Sequence, residues 1–201
     1  MKKITVKWLT DRNACVSEDE KLIAEKEFKG DIIKILDALI YKNRFLDANW
    51  LFTEYANKKQ CVLYAIFAAE LVLHLFENKY PKDKRPKEAI QAAKDYVKNP
   101  CKKTKDAADA AADAAYAAYA AYDDANAADA AYAAYEAANA ANAAYAAAYA
   151  TTAAYATNAA NATKKELQNK IIKNAISILK GGLSMNTECK GENTVTGVAH
   201  P

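Results

Sequence analysis

The sequence predicts an all-α fold, a compact multi-helix bundle in which an Ala/Tyr-rich repeat forms closely packed helices. The first observation is that its 201 residues contain only 5 Gly and 4 Pro, too few for the many tight turns of a β-sandwich or barrel. The second is that residues 106–162 contain 34 alanines among 57 residues, and alanine has the highest helix propensity. The third is the helical spacing of apolar residues elsewhere in the chain.

Capping residues predict where the first helices begin. Residues 17–20 have the sequence of a capping box, which opens a helix that Gly30 can close. Asp31 is then a cap for the next helix, whose apolar stripe covers residues 32–40. Another helix follows over residues 45–52, so the two form an antiparallel pair.

The segment 61–76 is apolar on nearly every face, which predicts the central helix that the others surround. Residues 80–86 read as a loop, and Pro86 is suited to the first turn of a following helix. Asn99–Pro100 ends that helix, because proline disfavours a helical residue before it.

The alanine-rich segment contains a 13-residue repeat. Tyr119, Tyr132 and Tyr145 lie 13 residues apart, and further Tyr, Asp and Asn positions recur with the same period. One continuous helix over this segment would be about 85 Å long, far beyond a compact domain of this size. We therefore expect helix breaks at Asp123–Asp124 and Thr151–Thr152, whose side chains compete for backbone hydrogen bonds.

An amphipathic helix is expected to follow the repeat and fold back onto the core. Because alanine buries little area per residue, the large core side chains should come from the segments on either side of the repeat. The predicted single domain covers residues 1–180 and comprises conventional helices (1–100), repeat helices (101–163) and a closing helix (164–180), followed by a flexible tail (181–201).

Charge is distributed unevenly along the chain. The sequence has 28 Lys and Arg against 25 Asp and Glu, yet residues 106–162 contain seven acidic residues and no Lys or Arg. The basic clusters elsewhere lack interleaved aromatic residues, so we expect no nucleic-acid partner. The alternative explanation is that these basic clusters lie at helix ends that face the acidic, alanine-rich helices of the same chain.

The sequence predicts no cofactor and no metal site. The four cysteines lie far apart, without a CxxC pair or a neighbouring histidine, and read as free thiols. The N-terminus lacks the apolar run of a secretory signal, which predicts a cytoplasmic protein. We expect no membrane partner, because the longest apolar run is short for a bilayer span and contains Glu70 and His74.

One polar group stands out on the predicted central helix. Glu70 and His74 are four residues apart, with Glu77 and Arg85 further along the chain. Glu70 and Arg85 are candidate ligand-binding groups, or Glu70 is a general base with His74 as its partner, because a buried carboxylate beside an imidazole titrates near neutral pH. The alternative, which we favour, is a salt bridge from Arg85 to Glu70 or Glu77 that pins the loop onto the helix.

Motifs for nucleophilic catalysis and Gly-rich phosphate loops are missing from the sequence, so we expect no enzymatic activity. The tyrosine and asparagine rows of the repeat offer stacking rings and amide groups to a base or a protein partner. Interhelical packing is the alternative role of these rows. An ice-binding alanine-rich helix is a third interpretation, which the drifting 13-residue pattern and the few threonines do not favour.

Residues 64–77 and the segment Asp83-x-Arg85-Pro86 that follows, together with the alanine-rich repeats, resemble the immunity-protein family of bacterial polymorphic toxin systems. Related alanine-rich proteins of phages and prophages also share the opening Trp8-Leu9. The resemblance extends over about residues 5–160. It implies an all-helical protein that neutralises an antagonist by binding, without a set of catalytic residues.

We therefore expect a non-enzymatic inhibitory protein of the immunity or phage anti-defence type, which binds a bacterial toxin or an antiviral effector. The alternative is a sponge that sequesters a nucleotide-derived immune signal in a helical pocket lined by arginine and tyrosines. A homo-oligomer formed through the alanine-rich helices is a further expectation. The candidate binding residues are Arg85, Glu70, His74, Asp83, Lys87, Tyr116, Tyr119 and Tyr132.

Overall fold

The computed structural model describes residues 2–121, 125–138 and 161–181, and these residues form nine helices and no strand. The all-α fold predicted from the sequence is therefore confirmed. The helices are α1 (Val6–Asp11), α2 (Glu18–Lys26), α3 (Ile32–Tyr41), α4 (Phe45–Tyr55), α5 (Lys58–Lys79), α6 (Arg85–Lys98), α7 (Lys102–Ala121), α8 (Ala125–Ala138) and α9 (Asn161–Leu179).

Side-chain caps determine where several helices begin. The Ser17 hydroxyl accepts a hydrogen bond from the Glu20 N–H, and the Glu20 carboxylate accepts one from the Ser17 N–H, which completes the predicted capping box. Asp31 accepts from two backbone N–H groups at the start of α3, as predicted. Helix α5 begins three residues before its apolar run because Asn57 and Gln60 form a second capping box.

The long helix α5 occupies the centre of the fold. It packs against α6, α8 and α9, and α9 also contacts α3 and α4. Helix α7 packs against both α6 and α8. Helices α5 to α8 therefore form a four-helix unit, and α9 connects this unit to the N-terminal helices.

The large core side chains lie outside the alanine-rich helices, as the composition predicts. The Tyr64 ring packs against Phe52 with centroids 4.6 Å apart, and its hydroxyl donates a hydrogen bond of 3.0 Å to Asn49 Oδ1. This bond satisfies a polar group that would otherwise be costly to bury. The largest fully buried side chains of the described residues are Tyr64, Phe52, Phe76, Ile4, Ile32, Leu36, Ile171, Ile172, Val62, Val72 and Pro86.

Helices α7 and α8 bury alanine where the other helices bury large side chains. The buried alanines of α7 recur every three or four residues, which places them on one face. Because a methyl group is short, such a face lets neighbouring helix axes approach closely. The buried alanines are Ala108, Ala112, Ala115 and Ala118 on α7 and Ala130, Ala131, Ala133, Ala134 and Ala137 on α8.

The chain reverses direction within the repeat, since α7 and α8 pack against each other. The expected break at Asp123–Asp124 falls between the end of α7 and the start of α8, in residues 122–124, which lie outside the described residues. On one straight helix, positions 13 residues apart are rotated by about 220° around the axis. Reversal of the chain is therefore what lets equivalent tyrosines of successive repeats face each other.

The closing helix is longer than predicted at its N-terminal end. Helix α9 begins at Asn161, three residues before the predicted start, and ends at Leu179. Gly181 then adopts a positive φ of 79°, a conformation that glycine tolerates at helix ends. The second expected break at Thr151–Thr152 and most of the predicted tail, residues 182–201, lie outside the described residues.

A glycine fixes the extended N-terminal segment. The Ile4 N–H donates a hydrogen bond of 2.9 Å to the Gly30 carbonyl, and the Ile4 side chain is fully buried. Gly30 has a φ of 67°, and a Cβ at this position would lie 2.6 Å from the Ile4 carbonyl oxygen. Glycine is therefore required here both for its backbone conformation and for the close approach.

By length and composition alone, α5 is apolar enough to cross a membrane. Half of its most apolar stretch is buried inside the protein, and its contacts with α6, α8 and α9 account for that composition. Such burial is typical of the core helix of a globular fold.

Candidate functional site

The first candidate residues lie in the turn between α5 and α6. Asp83 accepts hydrogen bonds of 3.0 Å from both the backbone N–H and the Nε of Arg85, and Arg85 Nη2 lies 2.6 Å from Asp83 Oδ2. The Asp83 side chain is 12% exposed and that of Arg85 is 34% exposed. This charge-assisted, bidentate pair holds the start of α6 in place.

Lysines of α6 pair with the two carboxylates of α5. Glu70 Oε1 is 2.5 Å from Lys94 Nζ, and Glu77 Oε1 is 3.4 Å from Lys87 Nζ. The expected salt bridge from Arg85 to Glu70 or Glu77 is therefore wrong. Asp83 in the turn pairs with the Arg85 guanidinium instead. Lys87 and Lys94 form the salt bridges that link α6 to α5.

The candidate acid–base pair of α5 lies at the surface. Glu70 and His74 are both exposed, so the expected buried carboxylate beside an imidazole is wrong. Glu70, His74 and Glu77 are four and three residues apart and form a narrow polar stripe on an otherwise apolar helix. Their role as binding residues stays a prediction.

Four tyrosine rings meet where α7 packs against α8. Tyr116 and Tyr119 of α7 contact Tyr132 and Tyr135 of α8, with ring-centroid distances from 5.1 Å to 6.5 Å. The rings are tilted against each other, which is the arrangement that aromatic quadrupoles favour. Tyr116 is 48% exposed and Tyr119 is 36% exposed. We call these four residues the tyrosine surface.

Three members of the tyrosine surface are predicted binding residues, namely Tyr116, Tyr119 and Tyr132. The structure brings these three together, although their binding role itself stays a prediction. The sequence reasoning omitted Tyr135. The repeat contained the signal for it, because Tyr135 lies 13 residues after Tyr122 in the same register as the other tyrosine pairs.

The turn residues and the tyrosine surface lie at the same end of the four-helix unit. Helices α6 and α7 are joined by three residues and pack together, so they run antiparallel. Helix α6 has 14 residues, and Tyr116 lies 14 residues beyond the start of α7, which places it level with Arg85. At this end Arg85 is paired with Asp83 and Lys87 with Glu77, and Lys82 and Lys84 of the turn are exposed.

Two carboxylates of α8 accompany the tyrosine surface. Asp129, Tyr132 and Glu136 are three and four residues apart, so they share one face of the helix. Glu136 is only 5% exposed. Burial raises the pKa of the Glu136 carboxyl, and the hydrogen bond from the Tyr132 hydroxyl partly offsets this shift. Burial also raises the pKa of Asp129.

Replacing Glu136 with Gln is expected to stabilise the protein at neutral pH. Because folding raises the pKa of Glu136 above its ordinary value of 4.5, the favourable contribution of this group is present at pH values below 4.5 and is lost as the pH rises through the folded-state pKa. Glutamine removes the buried charge and keeps an acceptor for Tyr132. Thermal unfolding should show a higher Tm for E136Q at pH 7.5 and a smaller difference at pH 4. A difference that does not change with pH would contradict this assignment.

The structure contains a cavity that sequence reasoning missed. It measures about 320 Å³ and is lined largely by apolar side chains of α1 to α4, among them Trp50. A second cavity lies beside the N-terminal segment. Both cavities lie within the described residues, and neither is lined by Arg85, Lys87 or the tyrosine surface. These two cavities therefore do not support the nucleotide-sponge alternative.

Thiols and carboxylates do not form a metal site in the part of the chain that the structure describes. Cys15 and Cys61 are free thiols, as predicted, Cys101 Sγ lies 3.4 Å from Thr104 Oγ1, and Cys189 lies outside the described residues. Burial raises the pKa of the Cys61 thiol to about 11. This thiol is therefore protonated at neutral pH and is a poor nucleophile.

The packed helices define an all-α protein. A family model described as "Imm-5 like putative immunity protein" matches residues 52–179, and the chain belongs to this family. The match extends from α4 to the end of α9 and includes the tyrosine surface. No curated protein and no solved structure matches the chain.

Family membership indicates an immunity role and implies a toxin as the binding partner. The family is generally non-enzymatic. The matched range also refines the resemblance seen in the sequence, because it begins later in the chain and continues to the end of α9. The opening residues that resemble phage proteins lie outside it.

Proposed function

We propose that this protein neutralises a bacterial protein toxin by binding it through the tyrosine surface. The observation that carries the proposal is the exposure of Tyr116 and Tyr119 on a cluster of four mutually contacting rings, within the region that matches the immunity family. Tyrosine is among the residues that contribute most to protein–protein binding energy.

The cluster is suited to binding because its rings are already held in place. Tyr116 contacts the rings of Tyr119, Tyr132 and Tyr135, so little side-chain freedom remains to be lost when a partner docks. Each hydroxyl adds a polar group at the edge of an apolar contact area. The surface therefore combines apolar area with directional hydrogen bonds.

Charge around the tyrosine surface favours a protein over a nucleotide as the ligand. The exposed face of α7 carries Asp113, three residues before Tyr116, and has no Lys or Arg beyond Lys105. An anionic nucleotide would be repelled by this face, whereas a protein with complementary charge would be attracted. An antiviral effector of the host is the second class of protein target, with the chain then encoded by a phage.

A bacterial cytoplasm is the proposed location of the protein. The exposed Cys15 and the buried Cys61 are free thiols, which is typical of a reducing compartment. The proposal also includes inhibition without catalysis, in which the toxin is blocked for as long as the complex lasts.

Co-expression with toxins tests the proposed function. The full chain would be expressed in a bacterium together with each member of a panel of toxin domains whose genes lie beside members of this family. Restored growth with one toxin, and co-purification of that toxin with the chain, is the expected result. Failure of the chain to rescue or bind any toxin of the panel would overturn the proposal. Calorimetry with cyclic and ADP-ribose-type nucleotides gives the parallel test of the sponge, for which we expect no heat.

A further inference from the structure

Two carboxylates beside the tyrosine surface have no cationic partner within the described residues. The ion pairs of the described ranges use Asp83 of the turn and carboxylates of α1, α2, α4, α5, α7 and α9, and none includes Asp129 or Glu136. Asp129 is partly buried and Glu136 almost completely so. Partly desolvated carboxylates without a counter-charge gain more from a cation than fully solvated ones do.

The tyrosine rings offer a second attraction for a cation at the same place. An aromatic ring carries negative potential on its face, and an ammonium or guanidinium group within about 6 Å of the centroid is attracted to it. Tyr116 and Tyr119 are the exposed members of the cluster, and Tyr132 shares its helix face with Asp129 and Glu136. Asp129 therefore lies one helical turn from Tyr132, on the face of α8 that carries this ring.

The alanine-rich segment that carries the tyrosine surface contributes no positive charge of its own. Residues 106–162 include seven acidic residues and no Lys or Arg. A basic side chain from a partner would therefore be attracted by the carboxylates and rings of this segment, while Arg85 and Lys87 at the same end are paired with Asp83 and Glu77.

We propose that the tyrosine surface and Asp129 together receive an arginine or lysine side chain from a basic surface of the partner protein. This inference rests on the proposed function and narrows it, because it states the chemistry of the contact surface on the toxin. Arginine fits better than lysine, since a guanidinium stacks on rings while donating to a carboxylate. The same long-range charge attraction would raise the association rate at low ionic strength.

Calorimetry with short peptides tests this contact on the full chain without any toxin. Hexa-arginine amide and hexa-glutamate amide serve as probes, and the first is expected to bind while the second does not. Asp129→Asn and Tyr119→Ala should each weaken hexa-arginine binding by about tenfold, the loss expected for a charge-assisted or cation–ring contact.

Asp106→Asn is the matched control, because it removes the same charge from an exposed position of α7. It should change the affinity less than about twofold, as expected for a screened surface charge. Equal losses in D106N and D129N would show attraction to the acidic segment as a whole and would overturn the proposed contact. Absence of hexa-arginine binding would overturn it as well.

The outcomes separate this inference from the proposed function. If the D129N and Y119A variants still rescue growth from a toxin as well as the unaltered chain does, the cation contact is overturned while the immunity function stands. Specific hexa-arginine binding without rescue by any toxin would leave the contact standing and overturn the function. A second copy of the chain is the alternative source of the basic side chain. If light scattering shows a dimer and the D129N substitution dissociates it, the assignment to a partner protein is overturned.

Discussion

Replacing Tyr116 and Tyr119 together with alanine is expected to abolish protection against the toxin that the protein neutralises. Both rings are exposed, at 48% and 36%, and both belong to the packed cluster, so truncation removes contact area and leaves the partner's groups without their contacts. Truncation of a central tyrosine commonly costs 2 kcal/mol or more, so the two together should raise the Kd by at least about 100-fold. Growth rescue and calorimetry with the purified toxin measure the two effects.

Tyr41→Ala is the control for this double variant. Tyr41 is 88% exposed on α3, outside the range that matches the family model, so its removal should change neither rescue nor affinity. Circular dichroism should show that Y116A/Y119A remains helical, since exposed rings contribute little to the core. Full protection by the double variant would show that the toxin binds elsewhere.

Replacing Ala115 with leucine is expected to destabilise the protein. Ala115 is completely buried in the alanine face of this helix, so leucine would add three carbon atoms to a closely packed helix contact. Overpacking of this kind costs about 1–3 kcal/mol. In a chain of this length each kcal/mol lowers the Tm by about 2–4 °C.

Ala110→Leu is the matched control, because Ala110 lies on the exposed side of the same helix. It should leave the Tm nearly unchanged, since leucine and alanine differ little in helix propensity. Differential scanning calorimetry compares the two variants. If A115L unfolds at the temperature of A110L, the close approach of α7 to its neighbours is refuted.

The fold could be predicted where short-range interactions decide it. Ser17 and Asp31 cap helices through backbone groups only two or three residues away, so their roles are visible in the sequence. The reversal within the repeat was predictable too, because a single helix of that length cannot fit a compact domain. The start of α5 was missed because Asn57 lies outside the apolar run, although its capping box with Gln60 is equally local.

The candidate site was harder to predict because its contacts depend on how helices pair. The sequence shows that Glu70 and His74 share a helix face, but which face remains in solvent depends on where α6, α8 and α9 pack. The partner of Arg85 was missed because the favoured candidates were on α5, while Asp83 in the turn is closer along the chain. Tyr119 and Tyr132 were found because the repeat places them 13 residues apart, and Tyr135 is related to Tyr122 by the same spacing.

The alanine face of α7 separates the residues that maintain the fold from those that meet a partner. Ala108, Ala112, Ala115 and Ala118 determine how the helix packs, whereas Tyr116 projects from its exposed side. Substitutions on the exposed side therefore change recognition at little cost in stability. In a lineage that must keep pace with changing toxins, this division allows specificity to evolve on a constant scaffold, with tyrosine, aspartate and asparagine exchanged among the exposed positions.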